Sequence, residues 1–219
     1  MRAIGTVIFD LDGTLIDLQV PIDDVRGQLT AFFSARGYRR PMRPILTAID
    51  EGAKQTSSSP TNEVAVRKSA MDILDRAEVH AVQVAPLDVN VKPLLEKLLE
   101  RGFEMAIVTN NSRACVAAVL KRLELDNVFA AVVARDDVQT PKPDPEGLLR
   151  VWTKLGEPVV LYFVGDSTAD VVAARQFEIA AAAPITMIGV SGGRHDLETL
   201  RTAGADRLIE TLNDLAQVL

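Results

Sequence analysis

Short apolar runs alternate with amphipathic helical patterns along most of this chain, and that alternation limits the folds open to it. Runs at about 4–9, 104–108, 128–133, 159–164 and 184–190 are rich in Val, Ile, Phe and Ala and have the length of buried strands. Between them lie helical periods. Residues 91–101 put Val91, Leu94, Leu95, Leu98 and Leu99 on one face and stop at Gly102, a suitable helix terminator. Residues 112–123 start at Ser112, a good N-cap, and carry Val116, Val119, Leu120 and Leu123. Further helices are expected at 145–155, 168–178, 196–203 and 210–218. Strands buried on both faces and separated by helices predict an α/β fold with a doubly wound, Rossmann-like parallel sheet. The 219 residues, 47% of them apolar, suffice for one large domain or a large one with a small one.

Residues 17–86 break the rhythm. They contain no convincing strand and three helical patterns, near 21–36, 42–54 and 62–80, the last two separated by a polar loop at 56–61. The expected division is an α/β core of 1–16 with 87–219, interrupted by a helical insertion at 17–86.

The chemistry-bearing residues follow the strands. Val7-Ile8-Phe9 runs into Asp10 and Asp12 and breaks at Gly13. In a strand, positions i and i+2 share a face, so both acids are expected to look into one small space. Folding alone gives no reason for two adjacent carboxylates, which repel unless a cation intervenes or one holds a proton. The second run ends in Thr109-Asn110-Asn111, a Pro-Lys-Pro segment around Lys142 follows the third, and Gly165-Asp166-Ser167-Thr168-Ala169-Asp170 follows the fourth. Ligands of open α/β sheets bind at the carboxyl ends of strands, where these residues lie. Asp10, Asp12, Asp166 and Asp170 with Lys142 sum to a formal −3, which a hard divalent cation such as Mg²⁺ would relieve.

The set resembles the haloacid dehalogenase superfamily, in particular its phosphatase members and their phosphoglycolate-phosphatase relatives. Phe-Asp-Leu-Asp-Gly-Thr-Leu is similar to that family's first motif, Thr109 to its second, Lys142 to its third and Gly-Asp-Ser-Thr-Ala-Asp to its fourth. The insertion after the first motif resembles the family's small helical cap, from which substrate specificity is expected. The resemblance implies Asp10 as nucleophile, Asp12 as general acid and base, and Lys142 as the group that neutralises phosphoryl charge. It implies Thr109 as a phosphate ligand, with Asn110 as a further candidate. Mg²⁺ would be held by Asp10, Asp166, Asp170 and the backbone carbonyl of Asp12. The implied reaction is hydrolysis of a small phosphorylated metabolite through an aspartyl-phosphate. A phosphomutase of the β-phosphoglucomutase type and a non-catalytic phosphate-binding protein are the alternatives.

The chain departs from the family pattern at the end of the fourth-motif helix, where Arg175-Gln176-Phe177-Glu178 replaces a usual Ala-Gly. Either ending a helix without glycine there costs on the order of 1 kcal/mol, or the helix ends differently. With 24 basic and 30 acidic side chains the formal charge is −6, which disfavours nucleic acid or anionic membrane as a partner. No apolar run approaches the ~18 residues of a membrane span. A single cysteine, Cys115, precludes an internal disulfide. A cytoplasmic location is the expectation. His80 and His195 lack any partner motif and are expected at the surface, and Arg194 is a lesser candidate for ligand contact.

Overall fold

The computed structural model describes residues 3–219, so the first two positions of the expected core segment lie outside the described residues. Six parallel strands form one sheet in the order β3-β2-β1-β4-β5-β6: β1 Gly5–Phe9, β2 Phe103–Val108, β3 Ala131–Val133, β4 Leu161–Gly165, β5 Thr186–Val190 and β6 Arg207–Ile209. Every residue of β1 is buried, because the strand lies mid-sheet between β2 and β4. Its all-apolar centre, Val7-Ile8-Phe9, suits a strand covered on both faces. The order reverses direction beside β1, which opens a crevice at the carboxyl ends of β1, β2 and β4.

The helices are α1 Ile22–Ser34, α2 Ile45–Thr56, α3 Pro60–Val84, α4 Val91–Glu100, α5 Arg113–Leu123, α6 Glu146–Lys154, α7 Thr168–Ala181, α8 Leu197–Ala203 and α9 Leu215–Val218. The chain divides into two compact units. One holds the chain up to Leu18 together with Ala85–Leu219, and the other is Gln19–Val84. The first contains the sheet and α4–α9, with a core that includes Ile8, Phe163, Leu148 and Phe177. The second is α1–α3 around Val25, Leu29, Phe33, Ile49 and Leu74. In it α1 and α2 approach closely at Gly52, where a Cβ would lie 2.7 Å from the Phe33 ring.

Three details differ from the sequence expectation. The structure adds β6, a three-residue edge strand in register with β5. Its Arg-Leu-Ile is too short to carry a period. The expected helix at 210–218 is a 3₁₀ turn, Leu212–Asp214, followed by the single-turn α9. The fourth-motif helix runs on to Ala181 and closes on Ala182 in the left-handed conformation (φ 50°), so an alanine takes the role expected of glycine.

Candidate active site

The end of β1 delivers Asp10, whose amide donates to Val164 O (2.9 Å) in the adjoining β4. Gly13 makes the turn that follows, at φ +86°, and a Cβ there would collide with the Asp166 carboxylate. Gly193, in the loop after β5, approaches Asp166 as closely, and a Cβ at Gly165 would lie 2.7 Å from Asp170 Cβ. Three glycines therefore leave room for two carboxylates.

Asp10, Asp166 and Asp170 are all buried and each offers one carboxylate oxygen within 4.8 Å of the others. The Lys142 ammonium is set among them, 2.8 Å from Asp10 Oδ1 and 2.5 Å from Asp170 Oδ1, and it donates to Val108 O at 3.0 Å. Burial alone would lower the lysine's pKa, but Asp10 and Asp170 outweigh it and hold the ammonium above the usual lysine range. Burial pushes Asp10 up to about 7; Lys142 pulls it back, and Asp170 and Asp166 add to the rise. Asp166 is likewise raised, chiefly by burial, with the Arg194 amide opposing.

The remaining candidates are arranged differently. Asp12 is outside the three-carboxylate group; its Oδ1 accepts from the Leu18 amide at 2.9 Å. Burial raises its pKa to about 6, against the pull of that amide. Thr109 is buried at the end of β2, and its hydroxyl donates to Asn111 Oδ1 (2.9 Å) and accepts from Asn111 N (3.1 Å). Asn110 directs its amide at the main chain of Lys142, with Nδ2 donating to Lys142 O (2.8 Å) and Oδ1 accepting from Lys142 N (2.9 Å). His195 is half-buried rather than a free surface group, since its Nδ1 accepts from Thr168 N at 3.3 Å.

Other contributors carry no signal as residue types. Ser167 caps α7 and donates twice to Asp170 Oδ2, from N (3.0 Å) and Oγ (2.5 Å). The Arg194 amide donates to Asp166 Oδ2 at 2.5 Å. Arg135, 5% exposed, donates from Nη1 to Asn110 O at 2.8 Å. Of these only Ser167 could be found from sequence, as the capping box Ser-x-x-Asp.

The cluster fits a divalent cation. Three carboxylates and one ammonium leave a formal −2 in a buried space, and Asp10 Oδ1, although paired with Lys142, has no donor aimed at it in hydrogen-bonding geometry. Asp170 is taken up by Lys142 and Ser167, which leaves Asp10 and Asp166 as the better-suited direct ligands. One or two carboxylates completed by water and phosphate oxygens is a donor set that Mg²⁺ favours.

Residues 7–183 match the family described as haloacid dehalogenase-like hydrolase. The chain is 31% identical over 245 aligned residues to a phosphoglycolate phosphatase of Salmonella typhimurium, with 100% of this chain and 94% of the relative covered. It is also 31% identical over 186 residues to a phosphoglycolate phosphatase of Pseudomonas savastanoi pv. phaseolicola, covering 81% and 68%. Among solved structures, a hydrolase from Pseudomonas syringae superposes with a TM-score of 0.69 at 25% identity, over 97% of this chain and 96% of that one. A HAD-superfamily hydrolase of subfamily IA from Geobacter sulfurreducens has the same fold, with a TM-score of 0.60 at 20% identity, over 99% and 100%.

Proposed function

The chain belongs to the haloacid dehalogenase-like hydrolases, and from that membership we propose a Mg²⁺-dependent phosphatase that cleaves a small phosphomonoester through an aspartyl-phosphate. One observation carries the reading: a buried carboxylate, Asp10, stands beside a buried ammonium, Lys142, and two further carboxylates, with Asp12 two residues away. The named relatives favour a small phosphorylated metabolite of the phosphoglycolate type.

Asp10 supplies the nucleophilic oxygen. It attacks phosphorus, the bond from phosphorus to the ester oxygen breaks, and the phosphoryl group stays on the Asp10 carboxylate. The departing alkoxide takes a proton from Asp12, for which a pKa raised to about 6 suits a group that must hold a proton near neutrality. A water then attacks the phosphorus of the acyl-phosphate, the bond from phosphorus to the Asp10 oxygen breaks, and one proton of the water passes to Asp12, so that phosphate is released and both aspartates are restored. Lys142 offsets charge on the phosphoryl oxygens, and Thr109, on rotating its hydroxyl away from Asn111, donates to one of them. Asp10 and Asp166 would hold Mg²⁺, with Asp170 beside them and the Asp12 carbonyl as a further ligand. Bound there, the cation reduces the repulsion between the Asp10 carboxylate and the phosphate and favours the ionised nucleophile.

The test is hydrolysis of p-nitrophenyl phosphate and of a panel of phosphorylated metabolites, with Mg²⁺ and with a chelator. Release of inorganic phosphate that depends on Mg²⁺ is expected. Interconversion of sugar phosphates without phosphate release would point to a mutase, and no turnover with any divalent metal would point to a binding protein.

A further inference from the structure

We infer that Asn110 is a positioning residue, which fixes the Lys142 ammonium by clasping the lysine's main chain from the opposite end. The clasp has two bonds, Asn110 Nδ2 to Lys142 O and Lys142 N to Asn110 Oδ1. Its importance lies in the neighbours of Lys142. Pro141 and Pro143 have no N–H, so Lys142 owns the only main-chain donor between Thr140 and Asp144, and Asn110 takes it. Thr140 N goes to Glu146 and Asp144 N back to Pro141 O, so neither anchors the lysine to the sheet.

The end of β2 thus holds Lys142 twice. Val108 accepts from its ammonium and Asn110, two residues on, grips its backbone. A lysine stem has many rotamers, and fixing both of its ends removes that freedom before substrate arrives. Asn110 is itself braced, because buried Arg135 donates to its carbonyl and the Arg135 amide donates to Asn111 O (2.9 Å). With both amide atoms directed at Lys142, Asn110 acts on a bound phosphate through the lysine instead of touching it.

The inference rests on the reading that Lys142 meets the phosphoryl group, and a double-variant cycle separates the two. Orthovanadate binding in the presence of Mg²⁺ is measured by calorimetry, which requires no turnover, for wild type, Asn110→Ala, Lys142→Met and the double variant. Thermal melts accompany them. Lys142→Met should weaken binding, Asn110→Ala should weaken it about 10-fold, and the double variant should bind no worse than Lys142→Met alone. A double variant about 10-fold weaker than Lys142→Met would overturn the proposal, since Asn110 would then touch the anion or support the fold generally. Wild-type binding by Asn110→Ala would overturn it as well. Wild-type binding by Lys142→Met would instead remove the underlying reading of the lysine.

Discussion

Asp12 Oδ1 accepts the Leu18 amide at 2.9 Å, so the second carboxylate of the Asp10/Asp12 pair is held by its own loop and stands outside the three-carboxylate cluster. Two residues from the same strand end therefore occupy different surroundings. Asp10 is paired with an ammonium, whereas Asp12 is held by a neutral donor and by burial. A group of the second kind can exchange a proton without disturbing the three-carboxylate cluster.

Asp12→Asn should therefore lower kcat by about 10²–10⁴-fold, the usual worth of a positioned acid or base. Mg²⁺-dependent orthovanadate binding should change little. Steady-state kinetics beside calorimetry checks both halves, and wild-type turnover in this variant would remove Asp12 from the mechanism.

The metal-free protein should lose stability as pH rises. Asp10 and Asp12 bind protons more tightly folded, at about 7 and about 6, than unfolded, at 3.8. Their contribution is full below about pH 4 and is lost as pH climbs through 6 and 7. The lowered carboxylates, Glu124, Asp137, Glu146 and Asp196, act in the opposite sense but titrate below their ordinary values, outside that window. Melting temperatures in chelator should fall between pH 5.5 and 7.5, and Mg²⁺ should restore them. Asp10→Asn should flatten the fall and abolish most of the Mg²⁺ effect; an unchanged profile in that variant would contradict the assignment.

Gly193→Ala should impair metal binding without replacing a ligand. Its Cβ would collide with Asp166, which must shift to accommodate it. The apparent Mg²⁺ affinity in activity titrations should weaken by about 10–100-fold, the range found when groups supporting a metal ligand are disturbed. Activity at saturating Mg²⁺ should recover in part.

Ser167→Ala removes the α7 N-cap and one of the two donors to Asp170 Oδ2. Denaturant titration should show a loss of about 1 kcal/mol. Because Asp170 is also a partner of Lys142, kcat should fall as well, whereas capping loss at an ordinary helix would leave it unchanged.

The alternation of runs and helical periods made the sheet legible, since strands buried on both faces have to be apolar throughout. That Asp10, Lys142, Asp166 and Asp170 come together was legible too, because polar residues that follow the strands of such a sheet gather at its carboxyl edge. Asn110 and Asp12 show where such reading stops. Their residue types fit a phosphate or metal site, but their roles depend on which main-chain groups meet them, 32 residues away at Lys142 and six away at Leu18. The Arg194 amide and the Val108 carbonyl were invisible for the same reason: every residue has such groups, and only the fold selects which ones matter.

Because β1 is synthesised first yet lies in the middle of the sheet, its birth order and its address are at odds. Its partners, Phe103–Val108 and Leu161–Gly165, leave the ribosome far later, and until then Gly5–Phe9 is an unpaired, largely apolar edge. The nascent chain must carry that exposed segment through the making of the entire helical unit. Truncated or stalled chains ending before β4 should consequently be the aggregation-prone ones, and they also lack Asp166 and Asp170.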